Sequence, residues 1–197
     1  MIAMVGVKNL LHPRQDDADP PDASARALFH PNPKFRHETG GDLVSFLKQT
    51  ALFGDLKPGE LHRLARIVHE RSYRDGESIS EEGKPGAALF VLRSGAVEIT
   101  RRAYGGKQVL LATLEPPASF DELAAVGEVA RWNSARARGP VSLVALGRSD
   151  LDALGGHYPA TANKILKQLA RITAARLQML VESQYFGGQD QESERER

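Results

Sequence analysis

Apolar and polar positions change their rhythm twice along this chain. From Asp42 to Glu70 the apolar residues Leu43, Phe46 and Leu47, then Leu61, Leu64, Ala65 and Val68, recur at intervals of three and four, interrupted by Pro58-Gly59-Glu60. That period predicts two short amphipathic helices. After Tyr73 the period shortens. Runs such as Leu89-Phe90-Val91-Leu92, Val97-Glu98-Ile99 and Val109-Leu110-Leu111 are punctuated by Asp75-Gly76, Glu82-Gly83, Pro85-Gly86, Ser94-Gly95 and Gly105-Gly106. Many short strands separated by turn signals predict an all-β barrel or jelly roll. A helical turn is expected at 122–127, strands resume at Ser134–Ala137 and Val141–Leu146, and Ser149-Asp150-Leu151-Asp152 reads as a helix start.

The period lengthens again from Pro159 to about Gln184, a long helix with proline in its first turn and Gly187-Gly188 as its stop. Ala162, Leu166, Leu169, Thr173, Arg176 and Leu180 form one seam, with Ile165, Ile172, Leu177 and Val181 beside it. A stripe that wide is enough for two contacts, so one flank is assigned to the barrel and the other to a second copy, as in a coiled-coil dimer through Leu166, Leu169 and Leu180. Packing on its own domain alone is the competing reading.

The flanks differ in composition. Residues 1–41 mix Asp16, Asp17, Asp19 and Asp22 with Pro13, Pro20, Pro21, Pro31 and Pro33, which reads as an extended arm. The expected organisation is therefore that arm, a domain over 42–157, the long helix over 158–186 and a polar tail over 187–197. The fold class is α+β, a β jelly-roll barrel flanked by N-terminal helices and a long C-terminal helix.

Charge and composition narrow the chemistry. Lys+Arg 26 against Asp+Glu 25 gives a formal charge of +1, with no general pull toward nucleic acid or an anionic membrane. With no cysteine among 197 residues, disulfides, thiolate metal sites and cysteine nucleophiles are excluded. Histidine is absent between Tyr73 and Arg148, so a metal-dependent oxygenase of the cupin type has no ligands on its strands. His62 and His69 lie seven apart and read as surface residues, so no metal and no cofactor is expected. No nucleophile elbow or phosphate loop is present, and the expectation is a protein that is not an enzyme. The N-terminus carries no signal-like or bilayer-spanning run, which reads as cytoplasmic.

One stretch carries candidate chemistry. Between Phe120 and Arg136 a carboxylate opens a helical turn and an arginine follows nine residues later. A glutamate accepts from a sugar hydroxyl, while first-turn amides and a guanidinium donate to a phosphate, so that spacing suits a small anionic ligand bearing hydroxyls. Glu122 as a helix-favoured acid and Arg131 as a partner of Asp121 or Glu128 is the structural alternative. Arg136 and Arg138 alternate along a strand and read as a solvated face.

The order of these elements, with Asp75-Gly76-Glu77, Glu81 through Gly86, Leu89 through Val97 and Phe120 through Ser134, resembles the cyclic-nucleotide-binding domain of catabolite-activator proteins and kinase regulatory subunits over roughly 42–184. The resemblance implies that the last motif is a phosphate-binding cassette. Glu122 then takes the ribose 2′-hydroxyl and Arg131 the cyclic phosphate, with Leu123, Ala124, Trp132, Asn133 and Ser134 around the ligand, cAMP by family preference. It further implies a stand-alone sensor that signals to an effector protein by movement of the long helix and the arm. A DNA-binding domain is not expected, since thirteen residues follow Gln184.

The departures are specific. Asp121 stands where the family usually has glycine, Ala130 where it has proline, and Trp132 and Asn133 where small residues follow the arginine. At the mouth of a helical turn Asp121 is expected to act as an N-cap, accepting from the amides that a phosphate would use and so blocking ligand. Leu180 and Val181 stand where catabolite-activator proteins place hydroxyl residues toward adenine. These departures support a second reading, a degenerate domain that binds no nucleotide and serves as a dimerisation or protein-interaction scaffold.

Overall fold

The structure, a computed structural model, describes residues 43–186. Two short helices, α1 (Leu43–Gln49) and α2 (Pro58–Ala65), precede six strands: β1 (His69–Tyr73), β2 (Ser78–Ser80), β3 (Ala88–Arg102), β4 (Gln108–Leu114), β5 (Ser119–Phe120) and β6 (Ser134–Gly147). A 3-10 turn over Glu122–Ala125 interrupts the strands, and α3 (Arg148–His157) and α4 (Pro159–Phe186) follow. The expected arm over 1–41 and tail over 187–197 lie outside the described residues.

The predicted α+β class and jelly-roll character hold. All strand pairings are antiparallel, in the order β1-β6-β3-β4, with β2 beside β6 and β5 beside β3. The pairing does not close into a ring, so the sheet is an open jelly roll rather than a barrel. The hydrophobic run Leu89–Leu92 shows why the sheet is covered on both faces. Phe90 and Leu92 enter a cluster with Ile99, Leu114, Phe120 and Leu143 between the strands, whereas Leu89 and Val91 enter one with Leu47, Phe53, Leu64, Leu154 and Ile165 under the helices. A strand with apolar residues at consecutive positions requires both covers.

Several boundaries differ from those the pattern predicts. Ser94-Gly95 lies inside β3 rather than in a turn, because Gly95 adopts φ +84° where a Cβ would stand 2.3 Å from the Pro140 carbonyl oxygen of β6. The two runs at 134–137 and 141–146 are likewise one strand. Pro58 starts α2 instead of breaking a helix, with Glu60 Oε2 accepting from the Lys57 amide at 2.7 Å. His69 and Glu70 belong to β1, whose sequence HERSY is almost wholly exposed and has no apolar alternation to reveal it.

On α4 the seam divides. Ala162, Ile165 and Leu169 are buried against the core and Ile172 packs beside them, while Leu166, Leu177 and Val181 face outward. Leu169 is therefore a core residue and not a dimer contact; the 3-4-3 spacing of 162, 165, 169 and 172 follows the helical period more closely than the seam that included Leu166. The side chain of Leu180 lies outside the described residues. Among the described residues no helix is long and apolar enough to cross a membrane.

Candidate functional site

The cassette spans from β5 to the start of β6. Its backbone is fixed by the glycine-rich loop after β2: the Gly83 amide donates to the Arg131 carbonyl at 2.8 Å, the Arg131 amide to the Lys84 carbonyl at 2.9 Å, and the Gly86 amide to the Val129 carbonyl at 3.2 Å. Gly86 lies so close to the 3-10 turn that a Cβ there would fall 2.4 Å from the Ala124 Cβ. Glycine is thus required by close approach, and Ala124 is buried by it. Ser134 closes the cassette by accepting from the Glu82 amide at 3.0 Å.

At the carboxylate end, Glu122 is buried and its Oε1 receives two donors. Ser119 Oγ donates at 2.7 Å, and Arg176 of α4 approaches with Nη1 at 2.7 Å. The same guanidinium donates through Nη2 to the Ser119 carbonyl at 3.0 Å. Arg176 thereby joins the long helix to both β5 and the cassette. In the sequence this residue counted only as part of an apolar seam; a charged residue inside such a seam was the signal that it had a buried partner.

At the other end Arg131 forms an ion pair with Asp121, both side chains being almost fully buried at 11% and 4% exposure. Neither Arg131 Nη1 nor Asp121 Oδ2 has another hydrogen-bond partner among the described residues. Arg131 also lies over the Phe90 ring, 5.5 Å from its centroid. Burial holds its pKa below the usual arginine value, with Tyr73 acting in the opposite sense.

The expected N-cap is corrected here. Asp121 occupies the N-cap position of the 3-10 turn, but its side chain accepts no amide; the residue adopts φ 60° and ψ 29°, and the carboxylate goes to Arg131 instead. Left-handed backbone explains why glycine suits this position, and aspartate is among the few other residues that tolerate it. Glu128 pairs with Arg148 at 3.4 Å rather than with Arg131.

The remaining candidates divide by exposure. Leu123 and Trp132 are open to solvent, with Arg101 over the indole at 5.7 Å, whereas Asn133 is buried and its Oδ1 has no hydrogen-bond partner among the described residues. Arg136 and Arg138 are exposed on one face of β6, as the alternation predicts. His62 sits against the Pro58 carbonyl and His69 beside Asp150, each near the surface.

Comparison with known proteins agrees with this architecture. Residues 70–158 match the family model of the cyclic nucleotide-binding domain. The chain is 34% identical over 125 residues to the Cyclic AMP receptor protein of Thermus thermophilus, covering 64% of this chain and 58% of that protein. It is 33% identical over 134 residues to Glutaminase 2 of Bradyrhizobium diazoefficiens, covering 66% of this chain but 20% of that protein. Among solved structures, the Catabolite Activator Protein of Thermus thermophilus matches with a TM-score of 0.58 and 33% identity, over 68% of this chain and 63% of that one. The chain thus spans less than two thirds of these relatives. Jelly roll, glycine-held loop and these likenesses together show that residues 70–158 have the fold of the cyclic nucleotide-binding domain.

Proposed function

We propose that this protein is a regulatory ligand sensor in which a ribose-bearing small molecule enters the cassette against Glu122 and Arg131, and Arg176 relays occupancy to α4. The observation that carries the reading is the bond set joining Glu122, Ser119 and Arg176. A ribose hydroxyl donating to Glu122 competes with Arg176 for the same carboxylate, so binding and the position of α4 become linked. The family resemblance favours cAMP, and the Thermus relative carries that ligand in its name. Action in the cytoplasm, on a separate effector protein and without catalysis, belongs to the same proposal.

The outward face of α4 is the proposed contact with a second copy. Leu166, Leu177 and Val181 are exposed at 41%, 60% and 42% and follow one another at near-helical spacing. Leu177→Glu is expected to convert a dimer into monomers in sedimentation velocity.

Calorimetric titration with cAMP, cGMP, adenosine and guanosine tests the sensor reading. Binding of any of these that disappears in Glu122→Ala supports it. A second reading, a scaffold that takes no nucleotide, is favoured by the Asp121–Arg131 pair, which gives the cassette guanidinium an internal counter-ion. Failure of all four ligands to bind folded wild-type protein and a folded Asp121→Gly variant would leave the scaffold standing.

A further inference from the structure

We infer that the cassette selects an uncharged, hydroxyl-rich ligand of nucleoside type over a cyclic phosphate. The inference rests on the proposal that the cassette is a ligand site entered at Glu122, and it concerns the opposite end of that site. There the buried Asp121 carboxylate and the Arg131 guanidinium offset one another. An arriving phosphate meets no net positive charge and a carboxylate at close range, in surroundings where burial leaves both charges poorly screened. A free hydroxyl meets a different surface. It donates to Asp121 and accepts from Arg131, so one neutral group is complementary to both members of the pair.

The rest of the local inventory is weighted the same way. Asn133, two residues beyond Arg131, is 3% exposed, and its Oδ1 is a buried acceptor without a partner among the described residues. Ser80 on the neighbouring strand, paired with Ala135, holds a second buried polar atom with none among these residues. At the far end Glu122 Oε1 already receives Ser119 and Arg176, so a ligand hydroxyl reaches it in competition with Arg176. Asn133 Oδ1 can only accept and the Ser80 hydroxyl can accept as well as donate, so both can be satisfied by a ligand that brings hydrogens, whereas phosphate oxygens offer nothing to Asn133 Oδ1. A 3′,5′-cyclic phosphate has both ester oxygens tied up, whereas the nucleoside offers the same two positions as free hydroxyl donors. Asp121 in left-handed backbone fixes the carboxylate in this role.

The test compares adenosine and guanosine with cAMP and cGMP by calorimetry on wild-type, Asp121→Gly, Asp121→Asn and Glu122→Ala proteins, each shown to be folded by its thermal transition. Wild type is expected to bind a nucleoside about tenfold or more tightly than the matching cyclic nucleotide, a difference of about 1.4 kcal/mol. Asp121→Gly and Asp121→Asn are expected to reverse that order by exposing the Arg131 charge. A wild type that binds cAMP or cGMP as tightly as the nucleosides, with binding lost in Glu122→Ala, overturns the inference and leaves the ligand site intact. A silent wild type with Asp121→Gly binding cAMP also overturns it, Asp121 then being a plug. Silence in wild type and in both Asp121 variants overturns the ligand site and the inference together.

Discussion

The two ends of the cassette solve the same problem in different ways. Glu122 and Arg131 are both buried charges nine residues apart, and each has an internal partner. Arg131 pairs with Asp121 of its own segment, so its charge is balanced locally. Glu122 pairs with Arg176, 54 positions away on α4, so its charge is balanced by tying the cassette to another element. A local pair makes the Arg131 end neutral and self-contained; a distant pair couples the Glu122 end to α4. Under the proposed function, stability and communication are therefore separable within one short segment.

The largest expected effect comes from breaking the local pair from one side. Arg131→Ala strands a carboxylate that is 4% exposed, and loss of one partner of a buried pair costs about 3 to 5 kcal/mol. Combining it with Asp121→Gly removes the stranded charge and supplies the residue best suited to φ 60°, so most of that loss should return. Urea unfolding midpoints of the two single variants and the double variant measure this. A double variant no more stable than Arg131→Ala would show that the balance is not local.

Arg176→Ala strikes the other end. It removes the charged donor to Glu122 and the bond to the Ser119 carbonyl, an expected loss of about 2 kcal/mol. The distinguishing readout is hydrogen exchange. Amides of α4 beyond Ile172 should exchange through a local opening well below the free energy of global unfolding, which Arg131→Ala should not produce. Equal exchange patterns in the two variants would erase the distinction between the ends.

Gly86→Ala acts between them. The added methyl meets Ala124 Cβ at 2.4 Å and must displace the 3-10 turn that carries Glu122, at about 1 kcal/mol or somewhat more. Because the Gly86 amide also holds the Val129 carbonyl, the displacement reaches the approach to Arg131 as well. Thermal melts should show a modest loss, and exchange should rise on both sides of the turn rather than on one.

How much of this was legible in the sequence depended on whether the cause was local. The periods that begin at Leu43, after Tyr73 and at Pro159 encode helix, strand and helix because side-chain burial follows backbone period. Ser94-Gly95 reads as a turn because the same residue that permits a hairpin also permits an irregularity inside a strand. Gly95 lies in β3, packed under Pro140 of β6. The exposed strand β1 has no apolar code and escaped notice. In the cassette, Asp121 was recognisable as the unusual residue, and its pairing with Arg131 was one of the alternatives the spacing left open. That its carboxylate turns away from the helix amides depends on left-handed backbone, which no side-chain pattern records. The pairing of Glu122 with Arg176 depends on where α4 crosses the sheet, and such long-range geometry has no short sequence signature.

The smallest expected effect sharpens the comparison by supplying a second tether of α4 with no part in the cassette. Glu60 of α2 accepts from Lys164 Nζ at 2.9 and 2.7 Å. Its burial acts to raise its pKa, but the bond and charge of Lys164 and the Lys57 amide together hold it below the ordinary carboxylate value of 4.5. A carboxyl whose folded pKa is depressed stabilises the fold above its unfolded pKa, and that contribution is lost as the pH falls through the lower, folded value. Lys164 is about one third exposed, so solvent screening limits the contribution to about 1 kcal/mol or less. Glu60→Gln should therefore lower the urea midpoint slightly at neutral pH, converge with wild type in acid, and leave exchange at the Arg176 end of α4 unchanged. If Glu60→Gln instead loosened the helix around Arg176, α4 would move as one rigid body, and the two tethers would be a single device rather than the constitutive anchor and the ligand-linked one that the proposed function requires.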